Sequence, residues 1–374
     1  MLTKYWFPSA VIGDFLKQDV EITVNDGLIE EIEFNTDPAS DAIQINGVAL
    51  PGFIDTHCHG GNGYFFSDTE FENVLSIAEF HLQRGTTSLL ASLVTQSESM
   101  LKEQVSRLSA FVPFSTVRGI HLEGPWLSLK YCGAHDSSQL RSPDVNEIQN
   151  LIHESNNKII SVTLAPEIDG AMAAIDFLKA NGIVIALGHT DADSQVTREA
   201  IERGSKVVTH YYSAMRPISH RISSLALEAL YDEDIFLEII LDGTHIIPEA
   251  VKLLLDIAKH KLIAVSDAIS AAGSQDGEIK LGSIVVEVKN GVAKIKGSDL
   301  LAGSTLTMKA AFKFLMENFK IEYVEAAKIF ASNAALKYNF TDVGVIGAGK
   351  RADIVVVNSQ HDIISVIHQG ERVL

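Results

Sequence analysis

Histidines and carboxylates recur at the ends of a series of short apolar runs. His57-Cys58-His59 closes the first. Later runs end in His121-Leu-Glu123-Gly-Pro, Gly188-His189-Thr, Thr209-His210, Asp242-Gly-Thr-His245 and Ser266-Asp267. Neutral imidazole and carboxylate are the usual ligands of catalytic Zn²⁺ and Fe²⁺. A lone strand-end histidine is more often a satisfied structural residue. His57-x-His59 by itself is a weak signal, although residues i and i+2 of a strand point to one side. The set His57, His59, Glu123, His189, His210 and Asp267, placed at corresponding ends of successive runs, is hard to assign to chance and points to a metal centre. Cys58 should point away from its neighbours into apolar packing. Cys132 has no partner signal, and His81, His153, His260, His361 and His368 read as structural or solvated.

These residues meet only if the runs are strands of one sheet. Eight strand candidates cover 48–54, 87–93, 117–122, 159–164, 183–187, 206–209, 236–241 and 262–266. Helix-like segments such as 72–84, 171–180, 194–203 and 248–260 separate most of them, and Pro248 suits the first turn of a helix. Alternating strand and helix implies a parallel sheet, and eight units suit a closed (β/α)₈ TIM barrel, in which every strand C-terminus opens on one face. A doubly wound open sheet is the alternative, but no dinucleotide-type glycine fingerprint is present. A hairpin pattern around 284–295 interrupts the alternation. The first 50 residues read as strands and turns, with Asn25-Asp-Gly between alternating runs. The last segment does the same, with Asp353-Ile-Val-Val-Val, Ile363-Ile-Ser-Val-Ile and a Gly370 turn. The expected organisation is an α/β barrel over 51–334 and a small β-sandwich domain made from both termini, 1–50 and 335–374.

Composition narrows the function. The 374 residues carry 30 Lys and Arg against 48 Asp and Glu, a formal charge of −18, which argues against nucleic acid as a partner. Apolar stretches are interrupted within about 10 positions, short of the roughly 20 that a membrane span needs. The N-terminus has no apolar leader pattern, and two cysteines make no disulfide framework, so a cytoplasmic protein is expected.

The motifs also carry a resemblance. Pro51-Gly-Phe-Ile-Asp-Thr-His-Cys-His-Gly, His121-Leu-Glu-Gly-Pro-Trp, Thr163-Leu-Ala-Pro-Glu, Leu187-Gly-His-Thr-Asp-Ala-Asp and Thr209-His-Tyr-Tyr-Ser-Ala-Met follow one another in the order of the amidohydrolase superfamily. Leu241-Asp-Gly-Thr-His, Val265-Ser-Asp-Ala, Leu301-Ala-Gly-Ser-Thr-Leu and Gly349-Lys-Arg-Ala-Asp-Ile-Val continue it. Within the superfamily the chain resembles the branch that deacetylates amino-sugar phosphates, over nearly its whole length. The resemblance implies hydrolysis of the acetamide of N-acetylglucosamine 6-phosphate in amino-sugar metabolism, with one essential divalent metal (Zn²⁺ or Fe²⁺) and a homodimer.

Roles follow residue by residue from that resemblance. Glu123, His189 and His210 match the shared metal ligands, and His57 with His59 resembles members that hold a second metal. Asp267 matches the catalytic carboxylate, and His135, after Gly133-Ala134, a group that polarises the substrate carbonyl. Ala134, Ser213, Ala214, Arg221, His245, Leu301, Ala302 and Gly303 match sugar-phosphate contacts, with His245 and Arg221 on the phosphate. Two departures fall among these contacts: Ser213-Ala-Met where the family usually has Asn-Ala-Met, and Arg221-Ile-Ser-Ser where it commonly has Arg-Glu-Pro-Gly. They bear on sugar specificity and not on reaction class. N-acetylgalactosamine 6-phosphate, an epimer at one hydroxyl, is the nearest alternative substrate. A cyclic-amide hydrolase of the dihydroorotase type is disfavoured, because the fourth run ends Ala165-Pro166-Glu167 with no lysine to bridge two metals.

Overall fold

The structure, a computed structural model, describes residues 2–68, 70–112 and 115–374. Eight parallel strands form its centre: Phe53–Cys58, Thr86–Val94, Val117–Glu123, Ile159–Leu164, Val184–Leu187, Val207–Val208, Phe236–Ile240 and Leu262–Val265. They pair strictly in chain order. The ring is drawn together where Cys58 pairs with Ala268 and Asp267 N–H donates to the His57 carbonyl at 2.8 Å. Each strand is followed by a helix: Phe71–Leu82, Glu98–Ser109, Val145–Glu154, Ala171–Ala180, Ser194–Arg203, Leu225–Tyr231, Pro248–Ala258 and Met308–Asn318. The expected (β/α)₈ TIM barrel is the fold.

Local chemistry starts these helices. Ser97, Asp144, Asp193, Ser224 and Thr307 each accept a hydrogen bond from a backbone N–H of the first turn, and Pro248 stands at the start of the seventh helix. Leu, Ile, Val and Ala on the inner faces of the helices pack onto the strands in one continuous core.

The first expected strand, 48–54, is two elements. Val48–Pro51 belongs to the terminal sheet and Phe53–Cys58 to the barrel. Gly52 is the break: a Cβ there would stand 2.2 Å from the Thr87 hydroxyl, so only glycine lets the chain pass this close. The terminal sheet runs, in spatial order, Glu371–Arg372, Ile363–His368, Ile354–Val357, Val48–Pro51, Leu2–Ile12, Phe15–Asn25 and Leu28–Glu33, with Ile43–Gln44 beside Leu2–Ile12. It is one continuous sheet that curls until its far parts meet. Tyr5 Oη donates to the Gly370 carbonyl at 2.9 Å, and Ala352 N–H to the Gly27 carbonyl at 2.8 Å. Tyr5, Phe7, Val20, Ile22, Ile354 and Val356 fill the core between its halves. The helix Asn333–Lys337 packs on the barrel, where Asn333 Nδ2 donates to the Leu262 carbonyl at 2.8 Å. The hairpin expected near 284–295 has a third strand. Gly277–Leu281, Ile284–Lys289 and Val292–Ile295 form an antiparallel sheet beside the rim.

Candidate active site

The expected metal ligands converge on the rim at the C-terminal ends of the strands. Glu123 closes the third strand and is the hub. Its Oε1 lies 3.0 Å from His189 Nε2 and 2.9 Å from His210 Nε2; its Oε2 lies 3.2 Å from His59 Nε2 and 3.3 Å from His135 Nε2. His189 Nε2 and His210 Nε2 are 3.0 Å apart, as are His57 Nε2 and His59 Nε2. Asp267 Oδ1 lies 3.3 Å from His59 Nε2 and 3.5 Å from His57 Nε2. All of these residues are buried.

The hydrogen bonds assign the ring protons. His189 Nδ1 sits 2.9 Å from the Tyr131 carbonyl, which only accepts, so the proton is on Nδ1 and Nε2 presents a lone pair. That lone pair faces the Glu123 carboxylate and the His210 ring nitrogen at hydrogen-bond distance. Acceptors crowd together in this way around a cation, and the set suits a divalent metal. His59 Nδ1 likewise faces the Ser92 carbonyl, at 3.2 Å. Two donor groups result, one of Glu123, His189 and His210, the other of His57, His59 and Glu123 with Asp267 beside them. His135 is turned the other way. Its Nδ1 accepts from Thr95 N–H at 3.3 Å, which leaves the proton on Nε2, aimed at the site.

The electrostatics agree with a site that draws positive charge. Burial alone would push the Glu123 carboxyl up, but the charge of His57 and the hydrogen bond from His135 hold it well below the usual range. Asp267 is held at about 2: burial opposes, and His57 and His59 prevail. Burial pushes down on His57, yet Glu123 and Asp267 hold it well above the ordinary imidazole value. Burial drops His135 to about 4, so it is neutral near pH 7.

The backbone at this rim is unusual. His189, His210, Ala214 and Asp267 have φ of 49°, 28°, 49° and 49°, a left-handed conformation uncommon for residues with a Cβ. Gly303 packs against this turn, where a Cβ would lie 2.5 Å from Ile269 and 3.1 Å from the Asp267 carbonyl.

A cavity of about 450 Å³ opens over the site. Among its lining residues are His59, Glu123, Ala134, His135, His189, His210, Ser213, Ala214, His245, Asp267, Leu301 and Gly303. Ala302 faces the other way and is buried under the added sheet. On its wall His245 Nδ1 lies 2.7 Å from Asp242 Oδ2, and Asp242 Oδ1 accepts from the N–H groups of Thr244 and His245, at 2.8 Å each. Burial works against a charge on His245, but Asp242 raises its pKa above the ordinary value.

Arg221 departs from expectation. It is exposed, its Nε donates to His220 Nε2 at 3.0 Å, and it lies off the cavity wall. Residues 216–224 carry no helix or strand, and the Arg221 guanidinium stays on the outside of this segment. Lys130, with Nζ 2.9 Å from Asp191, is instead the lysine on the wall. Lys130 and the wall residues Tyr131, Tyr212, Leu281, Asp299 and Leu300 were not legible as site residues, because nothing in their types marks them. Cys58, between the two histidines, is fully buried, with Sγ 3.3 Å from His81 Nε2 on the far side of the strand.

A (β/α)₈ barrel whose C-terminal rim gathers imidazoles and carboxylates around one cavity has the architecture of a barrel enzyme. The profile of the Amidohydrolase family matches residues 48–373, and the chain belongs to that family. It is 34% identical to the N-acetylglucosamine-6-phosphate deacetylase of Bacillus subtilis (strain 168), covering 93% of this chain and 91% of that protein. It is 32% identical to the N-acetylgalactosamine-6-phosphate deacetylase of Escherichia coli O157:H7, covering 94% of each. Among solved structures, a mutant N-acetyl-D-glucosamine-6-phosphate deacetylase from Mycobacterium smegmatis, in complex with N-acetyl-D-glucosamine-6-phosphate, superposes with a TM-score of 0.96 at 33% identity. The match covers 100% of this chain and 99% of that one.

Proposed function

We propose that this protein hydrolyses the acetamide of N-acetylglucosamine 6-phosphate to glucosamine 6-phosphate and acetate, with a divalent metal, Zn²⁺ or Fe²⁺. The observation that carries the reading is the meeting of Glu123 Oε1, His189 Nε2 and His210 Nε2 within 3.0 Å, beside an ionised Asp267. Those three residues would hold the essential metal, and His57 with His59 a second. The family membership and the deacetylase relatives support the same chemistry.

A divalent cation at such a site makes a water acidic near neutral pH and polarises the amide carbonyl. The chain's own residues do the rest. Asp267, ionised and at the cavity floor, accepts the proton of the attacking water as its oxygen bonds to the carbonyl carbon. It then delivers that proton to the sugar nitrogen as the carbon–nitrogen bond breaks. His135 Nε2–H donates to the oxygen that gains charge. Ser213, Ala214, Leu301 and Gly303 shape the wall around the sugar. His245, whose protonated form Asp242 favours, and Lys130 supply positive charge for the phosphate.

The same reading assigns residues 1–50 and 335–374 to a supporting β domain and 51–334 to the catalytic barrel. Arg351 exemplifies the support, its Nη2 donating to the Thr87 carbonyl of the second strand at 3.1 Å. It also places the protein in the cytoplasm, which its two free cysteines fit; no helix among the described residues is long and apolar enough to cross a membrane. A homodimer belongs to it as well. In a dimer the solvent-facing Arg221 has a route to a neighbour's phosphate that it lacks in its own chain, and light scattering tests the state. The decisive experiment compares turnover of the two epimeric N-acetylhexosamine 6-phosphates by purified protein. The glucosamine epimer should be preferred by kcat/KM. Preference for the galactosamine epimer would overturn the substrate assignment, and failure on both would overturn the reaction.

A further inference from the structure

Beneath the rim, inside the barrel, the seventh strand carries a carboxylate that the chemistry above does not use. Glu238 is 1% exposed. Its Oε1 accepts from Thr56 Oγ1 at 2.5 Å and Tyr338 Oη at 2.7 Å. Those two tethers, one from the first strand and one from the chain after the barrel, aim Oε2 at His57 Nδ1, 3.6 Å away. His57 Nδ1 is fully buried and has no hydrogen-bond partner among the described residues. Its other nitrogen, Nε2, faces His59, Glu123 and Asp267.

We propose that Glu238 is the positioning residue of the second cation site, holding the His57 proton on Nδ1 so that Nε2 is free to bind. The proposal rests on the reading that His57 and His59 hold a cation. An imidazole that gives Nε2 to a metal must keep its proton on Nδ1, and that proton needs an acceptor in a buried place. The rings of the site differ here. His189 and His59 have backbone carbonyls, from Tyr131 and Ser92, opposite Nδ1. His210 Nδ1 is buried without a partner among the described residues. Of these four, only His57 has a carboxylate opposite Nδ1. A carbonyl orients a ring; a carboxylate also adds negative charge and makes the ring a stronger donor to a cation. The second site therefore depends on a residue at the floor of the barrel, and the first site does not.

The test is Zn²⁺ binding by the full-length chain, stripped by chelation, re-titrated and counted by elemental analysis, for wild type, Glu238→Gln, His57→Gln and the double variant. Wild type should take two Zn²⁺ per chain. Glu238→Gln should leave the tighter site unchanged and weaken the other by about 10–100-fold, the usual cost of losing such a partner. In the His57→Gln background the same change should add nothing. Ring ¹⁵N shifts should show the His57 proton on Nδ1 in wild type and redistributed in Glu238→Gln, which a purely structural role would not produce. One Zn²⁺ per wild-type chain overturns the two-cation reading and this proposal with it. Two in wild type and two equally tight in Glu238→Gln overturn the proposal alone. If Glu238→Gln does not fold, Tyr338→Phe carries the test: it keeps the carboxylate but loosens its aim. Loss of a few-fold in affinity confined to the second site supports the proposal, and unchanged affinity there refutes it.

Discussion

Replacing Asp267 by Asn separates chemistry from binding. The backbone that carries this side chain is locked from both directions. Asp267 N–H donates to the His57 carbonyl at 2.8 Å, and the Asp267 carbonyl accepts from Ser304 N–H at 2.8 Å. Asn is nearly the same size and tolerates the left-handed φ of 49° at this position, so it should occupy the same place. It cannot take a proton. General acid–base transfer is typically worth about 10²–10⁴-fold, and each tenfold is about 1.4 kcal/mol of barrier. The expected loss in kcat is therefore about 10²–10⁴-fold, roughly 3–5 kcal/mol. KM should stay within a few-fold, because in this mechanism the carboxylate moves protons at the amide and does not hold the phosphate. The assay is release of free amino-sugar phosphate and acetate, with metal counted in the same sample. Asp267 also lies 3.3 Å from His59 Nε2, so some loss at the second cation site is expected, with the Glu123–His189–His210 site still filled. Near-normal kcat in Asp267→Asn with that site filled would refute the proton-transfer role. Loss of metal from that site in step with activity would make Asp267 a ligand instead.

Prolonged chelation should abolish turnover, and added Zn²⁺ or Fe²⁺ should restore it; full activity in verified metal-free protein would end the metal mechanism. His245→Asn should raise KM about tenfold or more with kcat within a few-fold, since a contact made equally in ground and transition states governs binding alone. The His245 pKa is raised by Asp242 against the pull of burial, so its charge persists to higher pH than on a free imidazole and is lost as pH rises through the higher folded value. KM should accordingly climb on the alkaline side, and Asp242→Asn should move that climb to lower pH; a KM independent of pH would remove His245 from the phosphate site. Phe53, fully buried with ring centroids of Phe330 and Phe312 at 5.0 and 5.3 Å, ties the first barrel strand to the closing helices. Phe53→Ala should destabilise by about 3–5 kcal/mol, read as a lowered thermal midpoint, and an unchanged midpoint would contradict the packing.

By itself the sequence determined the barrel and which imidazoles and carboxylates its rim gathers. Strand and helix periods are set by covalent geometry, so alternation and caps such as Asp193 and Ser224 mark the elements locally. A parallel barrel then carries strand ends to one face, which is why His57, Glu123, His189, His210 and Asp267 could be grouped without coordinates. Local patterning failed where a choice depended on distant neighbours. The 48–54 run read as one strand, because only the approach of Thr87 reveals that Gly52 must divide it. Arg221 read as a phosphate contact, but within its own chain the side chain is exposed and turned to His220, which the residue type alone does not reveal. Which nitrogen of each ring faces the site was decided only in three dimensions. The deciding groups are the carbonyls of Tyr131 and Ser92, the Thr95 N–H and the Glu238 carboxylate, each from another element. Every residue has a carbonyl and nearly every residue an N–H, so no letter of the sequence distinguishes those that act. Only the packing of strand against strand brings one of them to a particular imidazole.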